Sequence, residues 1–289
     1  MGNDTSPLTL RAHAKINLFI HVVGRRADGY HDIETLFQFL DVHDTLSFQL
    51  ENHGSIERRD EHEFVLPDFD LAVNAAQLLR DRYGDKSLPG VTITLNKIIP
   101  PGSGMGGGSS NAATTLVAMN HLWELGLSRD QLLSLGAELG ADVPVFIYGH
   151  ACWATERGDR MQHYEARESW YCIALPNVSV STATVFADPE LDRGFPSISS
   201  ADYSFDSTTN ALQPVTEKHY PEVAKAVTAL GRFGDPRMNG SGSSVFLQCE
   251  SRIQAETVQS GLPAALKSIV SRSLNNLDPL DGIDVADCK

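Results

Sequence analysis

Three groups of residues in this sequence could do chemistry. The first is Pro100 to Ala113, P-P-G-S-G-M-G-G-G-S-S-N-A-A, with glycine at 102, 104, 106, 107 and 108. Glycine lets the backbone adopt positive φ and come close to a ligand, so successive N–H groups can converge on one anion. The second is Lys15 and Asn17, one pleat apart in the alternating stretch L-R-A-H-A-K-I-N-L-F-I-H-V. The third is Asp142, two residues before Pro144 in an otherwise apolar run. A carboxylate at the rim of a core can take a proton, although an aspartate there serves equally well as a helix cap or turn former. Lys15 and Asn17, taken from their own segment, fit a surface strand with solvated polar residues. The glycine stretch reads as a phosphate cradle.

The elements around these residues follow from periodicity. Val91 to Ile99 alternates like a half-buried strand, and Ala112, Leu116, Met119 and Trp123 recur at helical spacing until Gly126. The glycine stretch therefore joins a strand to a helix, with Ser109 or Ser110 expected as the cap, and the positive end of the helix dipole adds to phosphate attraction. A flexible linker is a poorer account, since linkers rarely sit between a patterned strand and a capped helix. A Walker loop needs G-K-S/T at its end. Gly102, Gly104 and Gly107 satisfy G-x-G-x-x-G, but a dinucleotide fold wants that motif straight after a fully buried parallel strand. Here Pro100 and Pro101 intervene, and the alternating strand suits an antiparallel sheet with one covered face.

Further along, Gly24 to His31 is a turn that ends in an aromatic pair, Tyr30-His31, able to stack on a base or to plug a core edge. Leu36 to Leu40 and Asp44 to Phe48 read as separate strands. Leu71 to Arg82 reads as a helix capped by Asp68 or Asp70, and Ser128 to Gln131 as a capping box opening another. Strands are expected at 149–157 and from Ser169, a long surface connection at 192–210, and a helix near Pro221 to Leu230. A second glycine turn, M-N-G-S-G-S-S-V-F from Met238, leads into a strand and could close against the first cradle.

With 289 residues, 42% hydrophobic and 21% charged, the chain has the composition of a soluble globular protein and room for a sizeable core. A formal net charge of −14, with no dense Lys/Arg run, disfavours nucleic acid and anionic membrane as partners. An anionic substrate then needs local help from glycine N–H groups, a few lysines and a divalent cation. No apolar stretch approaches a membrane span. The four cysteines lack C-x-x-C spacing, so reduced thiols and a cytoplasmic location are expected. The start, M-G-N-D-T-S, fits only the loose myristoylation pattern.

Together the segments A-K-I-N-L (Ala14 to Leu18), R-R-A-D-G-Y-H, T-L-F-Q-F-L-D, the triple-glycine loop, L-G-A-D-V-P-V-F and M-N-G-S-G-S-S-V-F resemble the GHMP small-molecule kinases, the superfamily of galactokinase, homoserine kinase and mevalonate kinase. Within it they are most similar to the members whose alcohol substrate carries a cytidine diphosphate. The likeness runs from about Ala12 to the strand after Gly242.

The resemblance implies an α+β, two-domain fold, with residues 1–160 as the N-terminal domain and 161–289 as an α/β sandwich-like C-terminal domain. The former would hold a mixed or antiparallel sheet and helices around the glycine loop. It implies ATP-dependent phosphorylation of a tertiary 2-hydroxyl, with Mg²⁺ whose ligands it leaves unspecified. Asp142 would be the catalytic base or orienter and Lys15 its electrostatic partner. ATP would meet Lys97 near the adenosine, and Pro100, Pro101, Gly102, Ser103, Gly104, Met105, Gly106, Gly107, Gly108, Ser109, Ser110 and Asn111 around the phosphates. Asn17 and His31 would hydrogen-bond the substrate. Tyr30 and Phe186 would stack on its cytosine, with Phe37 and Thr182 lining the same pocket. Gly240, Ser241 and Gly242 would close the site from the second domain. The chain departs from the pattern at Met105, where Leu is expected, at Asn239, where Ser or Thr is usual, and at Asp70, where Asn is expected. Other kinases of the superfamily, a non-catalytic nucleotide sensor and a nicotinamide oxidoreductase are the competing functions.

Overall fold

The N-terminal alternation becomes β1 (Leu8–Arg25), which pairs antiparallel with β2 (His31–Glu51) along nearly its whole length. The two short strands expected at 36–40 and 44–48 are thus one, because Asp41-Val42-His43 between them holds no glycine or proline to turn the chain. Register shifts fall between His13 and Ala14, Asn17 and Ile20, and Val22 and Gly24. At the second shift the alternation fails, and Leu18, Phe19 and Ile20 are all buried. The chain is described here by a computed structural model covering residues 6–52, 54–60, 70–84 and 88–277. The first five residues, Asp68 and Cys288 lie outside the described residues.

Next come β3 (Ile56–Asp60), α1 (Leu71–Tyr83) and β4 (Gly90–Asn96). Asp70 caps α1 by accepting the Ala72 N–H at 2.8 Å. β4 runs antiparallel to β2 and parallel to β3, so the sheet is mixed. The glycine loop then leads into α2 (Gly107–Leu122). Its cap is Gly106, in the left-handed region and with no side-chain cap bond; Ser109 and Ser110, expected as caps, lie inside the first turn. The helix begins earlier than side-chain capping rules suggest because Gly106 can take that conformation freely. α3 (Arg129–Leu139) opens with the expected capping box, Ser128 with Gln131. After it stand α4 (Val143–Tyr148) and the hairpin β5 (Cys152–Thr155) and β6 (Arg160–His163).

The C-terminal half contains β7 (Trp170–Ala174), α5 (Thr182–Ala187), α6 (Gln213–His219), α7 (Pro221–Leu230), β8 (Arg237–Met238), β9 (Val245–Cys249), α8 (Arg252–Gly261) and β10 (Ser268–Leu274). β10 pairs with both β7 and β2, giving the strand order β3-β4-β2-β10-β7-β9-β8. One edge of β2 belongs to β1, while β5, β10 and β4 share the other in succession. The protein is therefore α+β. A core of Ala14, Ile16, Leu36, Tyr171, Ile173 and Phe246 joins the two halves.

Residues 192–210 differ from the expected surface connection. Phe195, Ile198, Tyr203 and Phe205 pack on the cores, and the segment pairs with Ile20 through Ile20 N–H to Thr209 O (3.1 Å) and an Ile20–Asn210 bridge. Its aromatic residues lack a helix or strand period, so periodicity alone could not place them inside. Cys152, Cys172 and Cys249 are buried free thiols, and burial pushes Cys152 up to about 12. No helix among the described residues is long and apolar enough to cross a membrane.

Candidate active site

The glycine loop is shaped by what it touches. Gly102, Gly104 and Gly106 all have positive φ, between 70° and 76°. A Cβ on Gly104 would stand 2.6 Å from Gly242 O and 2.8 Å from Asn239 O, so only glycine lets the first loop lie on the second. Backbone bonds fasten the two: Ser244 N–H donates to Ser103 O at 2.9 Å, and Ser243 N–H to Gly102 O at 3.4 Å. The first N–H groups of α2 have no acceptor within the helix, and no side chain caps them. With the dipole behind them they form an anion-attracting patch, and Gly106 and Ser109 line the cleft there.

Against the loop lies Lys15, with a side chain 4% exposed and its Cγ 3.1 Å from where a Cβ on Gly106 would stand. Its Nζ is 3.2 Å from Asp142 Oδ2 and donates to Asn17 Oδ1 at 2.7 Å. Asn17 Nδ2 donates to Thr35 Oγ1 at 2.8 Å, which donates in turn to Phe19 O at 2.6 Å. Lys15 and Asn17 are therefore buried, contrary to the solvated surface strand that their segment suggests. Their covers, the glycine loop (Lys15 N–H to Met105 O, 3.0 Å) and Asn239, come from distant parts of the chain. Asp142 sits at the N-cap position of α4 but makes no side-chain cap bond; its carboxylate turns to Lys15 and stays 37% exposed. The cap reading of Asp142 is thereby replaced by an ion pair facing the cleft.

The cleft has a volume of about 1110 Å³ and draws on both halves of the chain. From the first half come Lys15, Asn17, Tyr30, His31, Phe37 and Asp142, with Gly102, Gly104, Gly106 and Ser109; from the second come Thr182, Phe186, Gly240, Ser241 and Gly242. Phe37 is nearly buried, with Lys15 Nζ 5.5 Å from its ring centroid. Thr182 and Ser241 share a hydroxyl hydrogen bond of 2.7 Å. Tyr30 is 58% exposed, and His31 packs on Phe186 with ring centroids 5.1 Å apart.

Other expected residues lie outside that lining. Lys97 is paired with the fully buried Asp44, whose other oxygen accepts the Ile98 and Ile99 N–H groups at 2.7 Å each. The pair anchors Lys97 at the exit of β4, and its Nζ stands 2.8 Å from where a Cβ on Gly107 would be, against the start of α2. Met105 puts its side chain into the core, and Ser103, Gly107, Ser110 and Asn111 are buried. Pro100, Pro101 and Gly108 also stand clear of the lining. Asn111 keeps a buried Oδ1 with no hydrogen-bond partner.

Sequence reasoning passed over four contributors. Arg157 stacks on Tyr30 at 4.0 Å from the ring centroid, while its guanidinium bonds Asp28 at 2.6 Å. Arg193 Nε donates to His31 Nε2 at 2.9 Å, which leaves the His31 proton on Nδ1. Burial, then Arg193 and Arg25, lower the His31 pKa and keep the ring neutral near pH 7. Asp28 stands within the quoted R-R-A-D-G-Y-H turn, but nothing near Arg157 or Arg193 in sequence marks them. The fourth, Asn239, was visible only as a departure from pattern. Its Oδ1 accepts the Asn17 N–H at 2.9 Å, and its Nδ2 lies 3.2–3.3 Å from Gly104 O, Lys15 O and Ser244 Oγ.

Residues 70–150 match the family model of the GHMP kinases N terminal domain, and residues 196–268 that of the GHMP kinases C terminal domain. The chain is 44% identical over 268 residues to a 4-diphosphocytidyl-2-C-methyl-D-erythritol kinase of Pseudomonas putida, covering 93% of each protein. Among solved structures it is similar to a 4-(cytidine 5'-diphospho)-2C-methyl-D-erythritol kinase, with TM-score 0.78 and 28% identity over 92% of this chain and 98% of that one. A homoserine kinase from Cytophaga hutchinsonii shares the fold at TM-score 0.70 and 16% identity, over 96% of this chain and 97% of that one.

Proposed function

The chain belongs to the GHMP kinase family, and from that premise we propose that it transfers the γ-phosphoryl group of ATP to the 2-hydroxyl of 4-diphosphocytidyl-2-C-methyl-D-erythritol. The products are the 2-phosphate and ADP, on the non-mevalonate route to isopentenyl diphosphate. The observation that carries the reading is the Lys15–Asp142 pair, facing the uncapped start of α2 in a cleft that also holds Tyr30, His31 and Phe186.

The acceptor is a hindered tertiary alcohol of low acidity, so the reaction calls for in-line positioning and a place for the proton. Asp142 accepts the hydroxyl proton as the oxygen attacks the γ-phosphorus and ADP leaves. Lys15, oriented by Asn17, balances charge on the carboxylate and on the transferred group. The N–H groups of Gly106 to Ser109 bind the phosphates. Tyr30 and Phe186 take the cytosine, His31 offers Nδ1–H to it or to the diphosphate, and Gly240 to Gly242 with Thr182 cover the reacting end. Mg²⁺ fits this setting, since it travels on nucleotide phosphates with few protein ligands, and the oxygen donors beside the loop are the Asp142 carboxylate and the Ser109 hydroxyl. Bound there it would neutralise phosphate charge. The net charge of −14 and the lack of a spanning helix among the described residues suit a cytoplasmic enzyme with a small-molecule substrate.

The test is ADP release from ATP and Mg²⁺ with the cytidyl substrate, beside homoserine and mevalonate. Turnover with the cytidyl compound alone is expected, and turnover with another alcohol would overturn the pocket assignment. Nucleotide binding with no ADP from any alcohol would make the protein a sensor. The Asp142→Asn variant should lose about 10²–10⁴-fold in kcat while retaining substrate affinity. Unchanged kcat would remove Asp142 from the proton transfer.

A further inference from the structure

The β1–β2 ribbon carries a second set of chemically able side chains outside the cleft. His13 and His43 are directly paired across the two strands, at the register shift after His13, with ring centroids 5.1 Å apart. His13 Nδ1 lies 2.9 Å from Leu40 O, and His43 Nδ1 lies 2.7 Å from Asp41 O. A carbonyl oxygen can only accept, so each Nδ1 carries a proton and, in the neutral ring, each Nε2 offers a lone pair. Histidines that ligate metals are commonly fixed this way, with one ring nitrogen bonded to a carbonyl and the other free for the cation. The exposed Asp41 adds a carboxylate, and one ligand atom from each of the three residues lies within 4.8 Å of the other two.

We propose that His13, Asp41 and His43 form a binding site for a divalent transition cation of the zinc type. Two imidazoles and a carboxylate are the donor set that zinc accepts, and magnesium, which prefers oxygen, is a poor match. Metal–nitrogen bonds of about 2.0–2.1 Å put tetrahedral ligands about 3.3 Å apart, so the three side chains must draw together to hold the ion. Asp41 is exposed and His43 only part-buried, which leaves both side chains room to rotate. With three protein ligands the fourth position belongs to water. The cation would tie β1 to β2 two residues before Lys15 and one before Asp44, the carboxylate that anchors Lys97.

Calorimetric titration of the chelator-stripped full-length protein with zinc, without nucleotide, tests this. One site per chain is expected, with a Kd of about 1 μM or tighter, and zinc-edge X-ray absorption should show two imidazoles. His43→Ala and Asp41→Asn should each weaken binding at least about 10-fold, with melting midpoints in chelator unchanged. His163→Ala, at a histidine paired with Glu165, should bind as the parent does. Equal zinc affinity in the parent, His43→Ala and Asp41→Asn would overturn the proposal, as would a site abolished by Asp142→Asn or no binding tighter than about 1 mM. If His43→Ala fails to fold, Asp41→Asn carries the decision alone.

Discussion

Asn239 joins three things that the proposed chemistry needs together: the strand bearing Lys15 and Asn17, the glycine loop at Gly104, and the second glycine turn. It is fully buried, so truncation would leave the Asn17 N–H and the carbonyls of Lys15 and Gly104 short of partners. An unsatisfied buried polar group costs about 1–3 kcal/mol. Asn239→Ala should therefore destabilise the protein by about that amount in urea titration and lower kcat, because Asn17 then orients Lys15 less firmly. An Asn239→Ala protein with parental stability and kcat would show that these bonds position nothing. At this scale the sequence was partly legible. The spacing of Lys15 and Asn17 put them on one face, but their burial depended on Met105 and Asn239, which lie far away in the chain. Asp142 was ambiguous until its side chain could be seen to bond Lys15 and to cap nothing. The ion pair of Lys97 was not legible, because its partner, Asp44, stands 53 residues earlier.

The elements were more legible than the contacts between them. The α3 capping box, and a cap for α1 at Asp68 or Asp70, followed from local hydrogen-bond rules, since both ends of each bond lie within a few residues. The start of α2 did not, because its cap is a glycine conformation and serine offers no clue to it. That geometry leads to a test of the loop as a unit. Gly104→Ala would add a Cβ 2.6 Å from Gly242 O at a φ of 76°, so the first loop would have to lift off the second. Strained positions of this kind cost about 1–3 kcal/mol, and any loop movement also misaligns the N–H groups that start α2. Gly104→Ala should weaken ATP binding by about 10-fold or more, with a smaller effect on the cytidyl substrate alone, as read by two separate titrations. Equal loss of both ligands would point to a general collapse of the cleft.

At the scale of the whole molecule, the two halves form one body because a few buried groups from the second half complete the first. Arg237 is the strongest of these. Its guanidinium donates to Leu18 O on β1, to Phe205 O (2.9 Å) and to Thr208 O (2.7 Å), and it stacks 3.8 Å from the Phe205 ring centroid. Burial lowers its pKa, yet a guanidinium stays charged, so the carbonyls must replace the water it has lost. Hydrogen bonds to a charged group contribute about 1.5–3 kcal/mol each, and several depend on this one side chain. None of this could be read from the sequence, where Arg237 is one arginine beside a glycine turn and 192–210 passes for a surface loop. Arg237→Met keeps the apolar stem but strands three carbonyls, and should cost about 3 kcal/mol or more in urea. Because Leu18 lies one residue from Asn17 on the same strand, kcat should fall in the same variant, although Arg237 is absent from the cleft lining. Unfolding of the parent should remain a single transition by fluorescence and by circular dichroism. If Arg237→Met splits it in two, the second half is held to β1 chiefly by this arginine. A single transition at a lower midpoint would assign that task to the shared core of Ile16, Tyr171 and Phe246.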